Sequence, residues 1–304
     1  MRRLLVLSAV AATALAACGS STSTGSTASS CPKTKVLTTV TQVSALVRAV
    51  GGDCVDLTAL LRPTDDPHGY EMKPADVGAL SSAKLVVKSG AGIDKWIDKS
   101  IEAAAPSTPV LDLGASGGVK LRKGDEGDDP HWWYDVDNAK AAADAIAAKM
   151  AGVDPANKDS YMRNASAVKG RLDDADKQIR ALIDPIDPAR RLFVANHDAF
   201  NYFLARYNIT LVGDIIPSTD TLSAIRPADT AKLIASIKAK GVKAIFTETT
   251  LDTGVANQIA SETGVKVYDG KLYGDAIGDP GSDGATLEGA LVHNGQAMAV
   301  AFKL

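Results

Sequence analysis

The most regular segment of the sequence lies near its centre and constrains the architecture of the whole chain. We expect a single helix over residues 157–183, because apolar residues recur there at alternating intervals of four and three, which places one apolar stripe along a helix. These residues are Tyr161, Ala165, Val168, Leu172, Ala175, Ile179 and Leu182. Asp154-Pro155 and Asp184-Pro185 supply start and stop signals, since proline disfavours helical backbone in the residue before it.

A helix of this length, about 40 Å at the usual rise per residue, could connect two lobes or form a dimeric coiled coil. The stripe covers fewer than four heptads, two of its seven positions hold alanine, and no systematic charge pairs flank it, all of which disfavour a coiled coil. We therefore interpret the segment as a rigid connecting helix packed on both lobes and expect a monomer.

Short β-branched runs alternate with helical patterns on both sides of this segment. The runs cover residues 36–41, 55–61, 85–88 and 110–113 before it, and 192–195, 209–216, 244–247 and 265–268 after it. Helical spacing occurs at 43–50, 74–81, 228–240 and 255–263. This order predicts an α/β fold with two lobes, each a parallel four-stranded sheet flanked by helices. The 304 residues also correspond to about two ordinary domains.

Composition excludes one class of partner and describes the core. The 33 Lys and Arg residues against 36 Asp and Glu give a net charge of −3, which leaves no basic surface for nucleic-acid binding. Aromatic residues make up only 5%, so the core must consist mainly of aliphatic side chains, as in helices packed on parallel strands.

The N-terminus reads as an export signal over residues 1–17. Arg2-Arg3 precedes an apolar run that is too short to span a bilayer comfortably. The run ends in Leu15-Ala16-Ala17-Cys18, which resembles the bacterial lipobox, so that Cys18 is expected to be lipidated; an ordinary cleaved signal is the alternative. Residues 18–31 are expected to form the lipidated end and a flexible Gly/Ser/Thr tether.

Two cysteines remain once Cys18 is assigned to the lipid. Cys31 and Cys54 form an even pair in an exported protein, which predicts a disulfide. A metal site on the two thiolates is the competing interpretation, but the CxxC spacing typical of such sites is missing. We place the first lobe at residues 32–155, the linking helix at 156–184 and the second lobe at 185–304.

Three of the four histidines stand where a ligand could be bound. His68 and His131 each follow an Asp-Pro pair, which constrains the loop and puts a carboxylate two residues back that could orient the ring. His197 follows a buried strand, and ligand clefts form at the carboxyl ends of parallel strands. His293 matches no ligand motif and is assigned a structural role.

Several segments resemble the zinc- and manganese-binding lipoproteins, the cluster A-I substrate-binding proteins of bacterial ABC importers. The resemblance covers residue 33 to the end and rests on DPHGYEMKPAD at 66–76, SGAGIDKWIDK at 89–99, DPHWWYD at 129–135, NHDAFNYFLARYNI at 196–209, KAIFTET at 243–249 and LYGDAIG at 272–278. It implies one metal ion in the interlobe cleft, bound by two residues from each lobe. The matching residues are His68, His131, His197 and Asp275.

The resemblance also implies a protein anchored to the outside of the cell membrane that passes its ion to an ABC permease. Three imidazoles and one carboxylate favour Zn²⁺ as the cargo, because Mn²⁺ prefers more oxygen ligands; Mn²⁺ is the alternative. Zinc importers of this family often carry a His-rich acidic loop, whereas residues 117–129 here hold acidic residues without histidine. That stretch could attract cations or be a solvated turn.

The fourth ligand and one further carboxylate leave alternatives open. Asp269 follows a predicted strand directly, but Asp275 matches the family's ligand loop, in which Gly274 would give the backbone freedom to turn; Asp279 precedes a proline and fits a turn. Glu248 could support a ligand or act as a base. An exported zinc metallohydrolase is therefore the rival function, although no hydrolase motif occurs in the sequence.

Aromatic residues directly follow the second Asp-Pro-His motif. Trp132, Trp133 and Tyr134 are expected to pack at the lobe boundary, with a stacking platform for an organic ligand as the alternative.

Overall fold

One long helix lies between two sets of parallel strands. The computed structural model describes residues 31–116, 118–124 and 127–304. Its strands are β1 Thr34–Thr38, β2 Val55–Ala59, β3 Leu85–Lys88, β4 Val110–Asp112, β5 Lys123–Gly124, β6 Gly127–Asp128, β7 Leu192–His197, β8 Thr210–Ile216, β9 Ala244–Ile245 and β10 Lys266–Val267. Its helices are α1 Thr41–Gly51, α2 Pro74–Ser82, α3 Asp98–Ala104, α4 Val136–Val153, α5 Lys158–Ile183, α6 Asn201–Arg206, α7 Pro227–Lys240, α8 Gly254–Thr263 and α9 Leu287–Ala301. We call residues 31–157 the first half and residues 184–304 the second half.

The first half contains a parallel four-stranded sheet in the order β2-β1-β3-β4. All four residues of β3 are buried, as expected for a central strand of a parallel sheet that is covered on both faces.

The loop that carries His68 begins at the carboxyl end of β2. The sheet therefore positions one candidate ligand directly.

The second half contains two parallel strand pairs, β8 with β7 and β9 with β10. The N–H of Phe246 donates to the carbonyl of Val194 at 2.8 Å, which joins the pairs in the order β8-β7-β9-β10. Each of the four predicted strand regions overlaps one of these strands, and β7 extends two residues beyond its predicted end. The predicted α/β fold with parallel strands in both halves is confirmed.

The predicted connecting helix is α5, which has 26 residues. Its stripe is buried from Tyr161 to Ile179, whereas Leu182 is only half-buried and Ile183 takes the last buried position. The helix packs against α4, α9 and α1. A Cβ on Gly295 of α9 would lie 3.0 Å from Ile179, so the absence of a side chain there allows the two helices to approach closely.

The predicted disulfide joins Cys31 to Cys54, with the two Cα atoms 5.3 Å apart. It joins positions separated by 23 residues in the sequence, which stabilises the fold by about 3 kcal/mol on a chain-entropy estimate. The export signal, Cys18 and the tether up to residue 30 lie outside the described residues, as do Asp125 and Glu126. Within the part of the chain that the structure describes, no helix is both long and apolar enough to cross a membrane.

Candidate metal centre

Four side chains that the sequence singled out meet between the two halves. His68 lies in the loop between β2 and α2, and His131 immediately precedes the short turn that leads into α4. His197 is the last residue of β7, and Asp275 lies in the loop after β10. One ligand atom from each residue lies within 4.8 Å of every other. Each half of the chain thus contributes two of the four residues.

The distances between these atoms correspond to the edges of a metal polyhedron. The Nε2 atoms of His68 and His197 lie 3.3 and 3.2 Å from Oδ2 of Asp275, and Nε2 of His131 lies 3.1 Å from Oδ1. A tetrahedral ion with bonds of about 2.0 Å separates its ligand atoms by about 3.3 Å. The three imidazoles therefore already stand around the carboxylate at ligand spacing.

The atoms that meet here have no other partner in the described part of the chain. None of the three Nε2 atoms and neither carboxylate oxygen of Asp275 makes a hydrogen bond to a described group outside this cluster, although all five are buried. Buried polar atoms are nearly always hydrogen-bonded, because leaving them unpaired costs free energy. Imidazole nitrogen and carboxylate oxygen are ligands for divalent cations, so the donor set fits a metal ion.

Two of the rings are fixed by carboxylates behind them. Nδ1 of His131 lies 2.8 Å from Oδ1 of Asp129, and Nδ1 of His197 lies 2.8 Å from Oε1 of Glu248. Such a contact fixes the tautomer and directs Nε2 towards the centre. Asp129 therefore orients its histidine as the Asp-Pro-His motif predicts. In the other copy of the motif, Asp66 accepts the backbone N–H of His68 at 2.9 Å and makes no hydrogen bond to its ring.

The buried carboxylates set the protonation of the metal-free centre. Burial alone favours a neutral ring, but the hydrogen bond to Asp129 and the carboxylate of Asp275 outweigh it and raise the pKa of His131 to about 9. The charges of Glu248 and Asp275 likewise hold the pKa of His197 well above its ordinary value. Burial would raise the pKa of Asp275, yet the surrounding imidazoles hold it well below its usual range.

The net pKa shift of Glu248 is opposite to that of Asp275. Burial raises the pKa of the Glu248 carboxyl, and the neighbouring His197 only partly offsets this increase. The backbone N–H of Glu248 donates to Oδ1 of Asn196 at 2.9 Å, which fixes the residue next to β7. The side chain therefore contacts a candidate ligand directly and is well placed to support it.

The loop that carries Asp275 is held by residues of the first half. The hydroxyl of Tyr134 donates to the carbonyls of Tyr273 and Gly274, at 2.6 and 2.7 Å. Gln42 Nε2 also donates to Gly274 O, at 3.0 Å. The N–H of Ile277 completes the set by donating to the hydroxyl of Thr41 at 3.0 Å.

Sequence reasoning missed Thr41 and Gln42 and assigned Tyr134 to packing. Gln42 lies 232 residues from the carbonyl that it contacts, and no local pattern reports such a pairing. Trp132 and Trp133 are fully buried, which agrees with packing and leaves no surface for stacking an organic ligand.

Gly274 is required for a different reason from the one expected. A Cβ at this position would overlap Oε2 of Glu248, so close approach of the backbone excludes a side chain. Its φ does not lie in the left-handed region, and backbone freedom is not the cause. Asp269 and Asp279 are both exposed and are not members of the four-residue group.

The fourth histidine takes no part in the centre. His293 in α9 lies 2.7 Å from Oδ2 of Asp283 and 2.9 Å from the carbonyl of Lys271. It therefore connects the two ends of the segment that contains Asp275, in agreement with the structural role expected for it.

Comparisons with known proteins cover almost the whole described chain. The family model of the periplasmic zinc-uptake complex component A matches residues 36–301. The metal ABC transporter substrate-binding lipoprotein ScbA of Streptococcus cristatus is 27% identical over 308 residues, which covers 98% of this chain and 97% of that protein. The manganese ABC transporter substrate-binding lipoprotein scaA of Streptococcus gordonii is 28% identical, with 96% of each chain covered. The periplasmic zinc binding protein TroA from Treponema pallidum has the same fold, with a TM-score of 0.83 at 24% identity over 89% of this chain and 99% of that one.

Proposed function

Because its residues 36–301 match the family model, the chain belongs to the zinc-uptake component A family of metal ABC transporter substrate-binding proteins, and we propose that it captures one Zn²⁺ ion and delivers it to a membrane permease. The family consists of solute-binding proteins and not of enzymes. The rival hypothesis of an exported metallohydrolase is therefore wrong.

The proposed ligands are Nε2 of His68, His131 and His197 together with the carboxylate of Asp275. The observation that supports them is the convergence of these buried atoms without any other hydrogen-bond partner in the described chain. Four protein ligands fill a tetrahedron and leave no position for a reactive water. Such a closed site suits carriage of an ion, and supporting roles fall to Asp129 and Glu248.

Zinc is the first choice of cargo because of the donor atoms. Three imidazole nitrogens and a carboxylate form a borderline-soft set that suits Zn²⁺ in tetrahedral geometry. The description of the matching family and the name of the Treponema pallidum protein both mention zinc.

Manganese is the second candidate, and one feature of the centre favours it. Both oxygens of Asp275 face imidazole nitrogens, at 3.1 to 3.3 Å, so the carboxylate could bind through two oxygens and give a five-coordinate ion. Mn²⁺ prefers oxygen-rich, higher-coordinate sites. One relative, scaA of Streptococcus gordonii, is named for manganese.

Titration of the metal-free protein with both ions tests this proposal. Zn²⁺ should bind at one equivalent per chain and should displace Mn²⁺ that is present in excess. Equilibrium dialysis followed by elemental analysis gives both the stoichiometry and the preference. Preferential retention of Mn²⁺ would overturn the choice of zinc, and binding of neither ion would overturn the function.

The proposed location is the outer face of the cell membrane. Cys18 would carry the lipid anchor, and residues 18–31 would serve as the tether between the membrane and the metal-binding fold. The two Streptococcus relatives are named lipoproteins, which supports an anchor of this kind. We propose a monomer, with lobes at 32–155 and 185–304 and the linking helix at 156–184, that docks on the permease of its importer.

A further inference from the structure

The three histidines of the metal centre differ in how the second ring nitrogen is held. In His131 and His197, Nδ1 lies 2.8 Å from a buried carboxylate of the same half of the chain. In His68, the nearest carboxylate is that of Asp220 in the second half, at 3.8 Å, which is beyond hydrogen-bond distance. The ring of His68 is therefore fixed less firmly than the other two.

His68 is also the ligand that lies closest to solvent. Its side chain is 7% exposed, whereas those of His131, His197 and Asp275 are 0% exposed. A cavity of about 370 Å³ reaches it, lined by residues of both halves that include Lys95, Asp128, Asp220 and Ser223. An ion that loses its bond to His68 would face this cavity.

One side-chain hydrogen bond joins the His68 turn to the second half. The hydroxyl of Thr221 donates to Oδ2 of Asp66 at 2.7 Å. The other oxygen of the same carboxylate accepts the backbone N–H of His68 at 2.9 Å. Asp66 therefore connects the conformation of the His68 turn to a residue 155 positions further along the chain.

The segment that supplies Thr221 has an internal structure of its own. We call residues 218–223 the 218–223 loop. Oδ1 of Asp220 accepts the backbone N–H of Leu222 at 2.9 Å, and the hydroxyls of Ser218 and Ser223 lie 2.9 Å apart. These contacts close the loop on itself, so it can meet the His68 turn as a preformed unit.

We propose that the hydrogen bond from Thr221 to Asp66 positions His68 against the metal ion and thereby sets the rate at which the ion leaves through the adjacent cavity. Thr221 is then a positioning residue and not a ligand. When the bond breaks, the His68 turn separates from the 218–223 loop, and the least firmly held imidazole withdraws first. This inference rests on the proposed function, because it assumes that the centre binds a metal ion.

Metal release from three Thr221 proteins tests the inference. The zinc-loaded wild type, Thr221→Val and Thr221→Ser are mixed with an excess of a chromogenic chelator in a stopped-flow instrument. Thr221→Val keeps the shape but loses the hydroxyl, and release should be roughly tenfold faster, since a hydrogen bond to a charged group has about that weight. Thr221→Ser keeps the hydroxyl and should release zinc within about twofold of the wild type.

Two further measurements separate positioning from a change in folding or in ligands. Thr210→Val is the matched control, because Thr210 is exposed at the start of β8, and its release rate should equal that of the wild type. All variants should still bind one equivalent of zinc and unfold in one cooperative transition, with the metal-free form of Thr221→Val destabilised by no more than the loss of one hydrogen bond explains. Asp220→Asn should also accelerate release, by less than Thr221→Val, since its carboxylate lies 3.8 Å from the ring and is 55% exposed.

Each failure has its own meaning. If Thr221→Val binds one equivalent of zinc and releases it at the wild-type rate, the positioning role is wrong and the proposed function stands. Release from Thr221→Ser that is as fast as from Thr221→Val would also contradict the role of the hydroxyl. If the wild type itself does not bind one equivalent, the proposed function fails and the inference fails with it.

Discussion

At the scale of single residues, the centre shows how identical motifs acquire different roles. Both Asp-Pro-His segments place a carboxylate two residues before the imidazole, yet only Asp129 contacts the ring of its histidine. Asp66 contacts the backbone N–H of His68 and the hydroxyl of Thr221 instead. The motif restricts the loop, and the contacts available in the folded chain then decide what the carboxylate binds.

The choice between the two candidate aspartates is open to a direct test. Asp275→Ala removes a buried carboxylate that faces all three imidazoles, and zinc affinity should fall by more than about 100-fold, which exceeds the usual effect of losing an outer partner. Asp269→Ala is the matched control, because Asp269 is exposed, and its affinity should not change. Competition with a zinc-binding dye measures both. Loss of binding in Asp269→Ala alone would mean that the ligand assignment is wrong.

Glu248 provides a test of a supporting carboxylate. Glu248→Gln keeps the size of the side chain but removes the charge that faces Nδ1 of His197 at 2.8 Å. Zinc affinity should fall about 10- to 100-fold, the range typical of partners behind a ligating histidine. Glu262→Gln, an exposed change on α8, is the control for the substitution. Unchanged affinity in Glu248→Gln would exclude the supporting role.

At the scale of elements, local patterns predicted those segments whose burial is one-sided or complete. The stripe of α5 and the β-branched run of β3 were both recognisable, because one face of the helix is apolar and the first three residues of the strand are apolar. The helices α4 and α9 were not predicted. Small apolar residues, mainly alanine, lie on most sides of both helices. Neither segment therefore shows the single apolar stripe by which a helix is recognised in a sequence.

Contacts between elements could not be predicted, and the loop that carries Asp275 shows the reason. Its position depends on Thr41, Gln42 and Tyr134, which belong to the first half. The residue types of the candidate ligands were visible in the sequence, because histidines are few and stand in repeated motifs. Nothing in the spacing of the sequence indicates which donors reach a carbonyl more than a hundred residues away.

The hydroxyl of Tyr134 can be removed without changing the ring. Tyr134→Phe should weaken zinc binding roughly tenfold and destabilise the protein by about 0.5–1.5 kcal/mol, because the Asp275 loop loses one donor to the first half. The two carbonyls stay paired, since Gln42 still donates to Gly274 and Asn294 to Tyr273. Calorimetric titration and denaturant unfolding measure the two effects.

Tyr161→Phe is the matched control for the loss of a buried tyrosine hydroxyl. This hydroxyl donates to Asp154 at 2.6 Å beside α5, and its removal should lower stability while zinc affinity stays unchanged. Equal loss of affinity in both variants would mean that the effect reflects general destabilisation and not the loop.

At the scale of the whole molecule, the two halves share one apolar core. Buried residues of α1, α4, α5, α6 and α9 belong to a single cluster, with Leu46, Ile146, Leu172, Phe203 and Leu291 as examples. The metal centre lies where the halves meet, and each half supplies two of its candidate ligands. Metal binding is therefore expected to stabilise the entire fold, since an ion that binds only the folded state shifts unfolding by mass action.

The charge state of the metal-free centre determines how that stabilisation varies with pH. The pKa of His131 is raised to about 9 from an ordinary value of 6.5. A group with a raised pKa stabilises the folded state fully below the unfolded value, and this contribution is lost as the pH rises through the folded value. The metal-free protein should therefore lose stability between about pH 6.5 and pH 9.

Metal binding requires the opposite protonation state, because a ligating imidazole must be neutral. At pH 7 the incoming ion has to displace the proton of His131, so binding should release at least about one proton per ion, and affinity should increase up to about pH 9. Titration calorimetry in buffers of different ionisation enthalpy counts the protons, and thermal unfolding measures stability. The difference in Tm between the zinc-loaded and metal-free protein should widen from pH 6.5 to pH 9. If that difference is constant and no proton is released at pH 7, His131 is not a proton-bearing ligand of the metal-free centre.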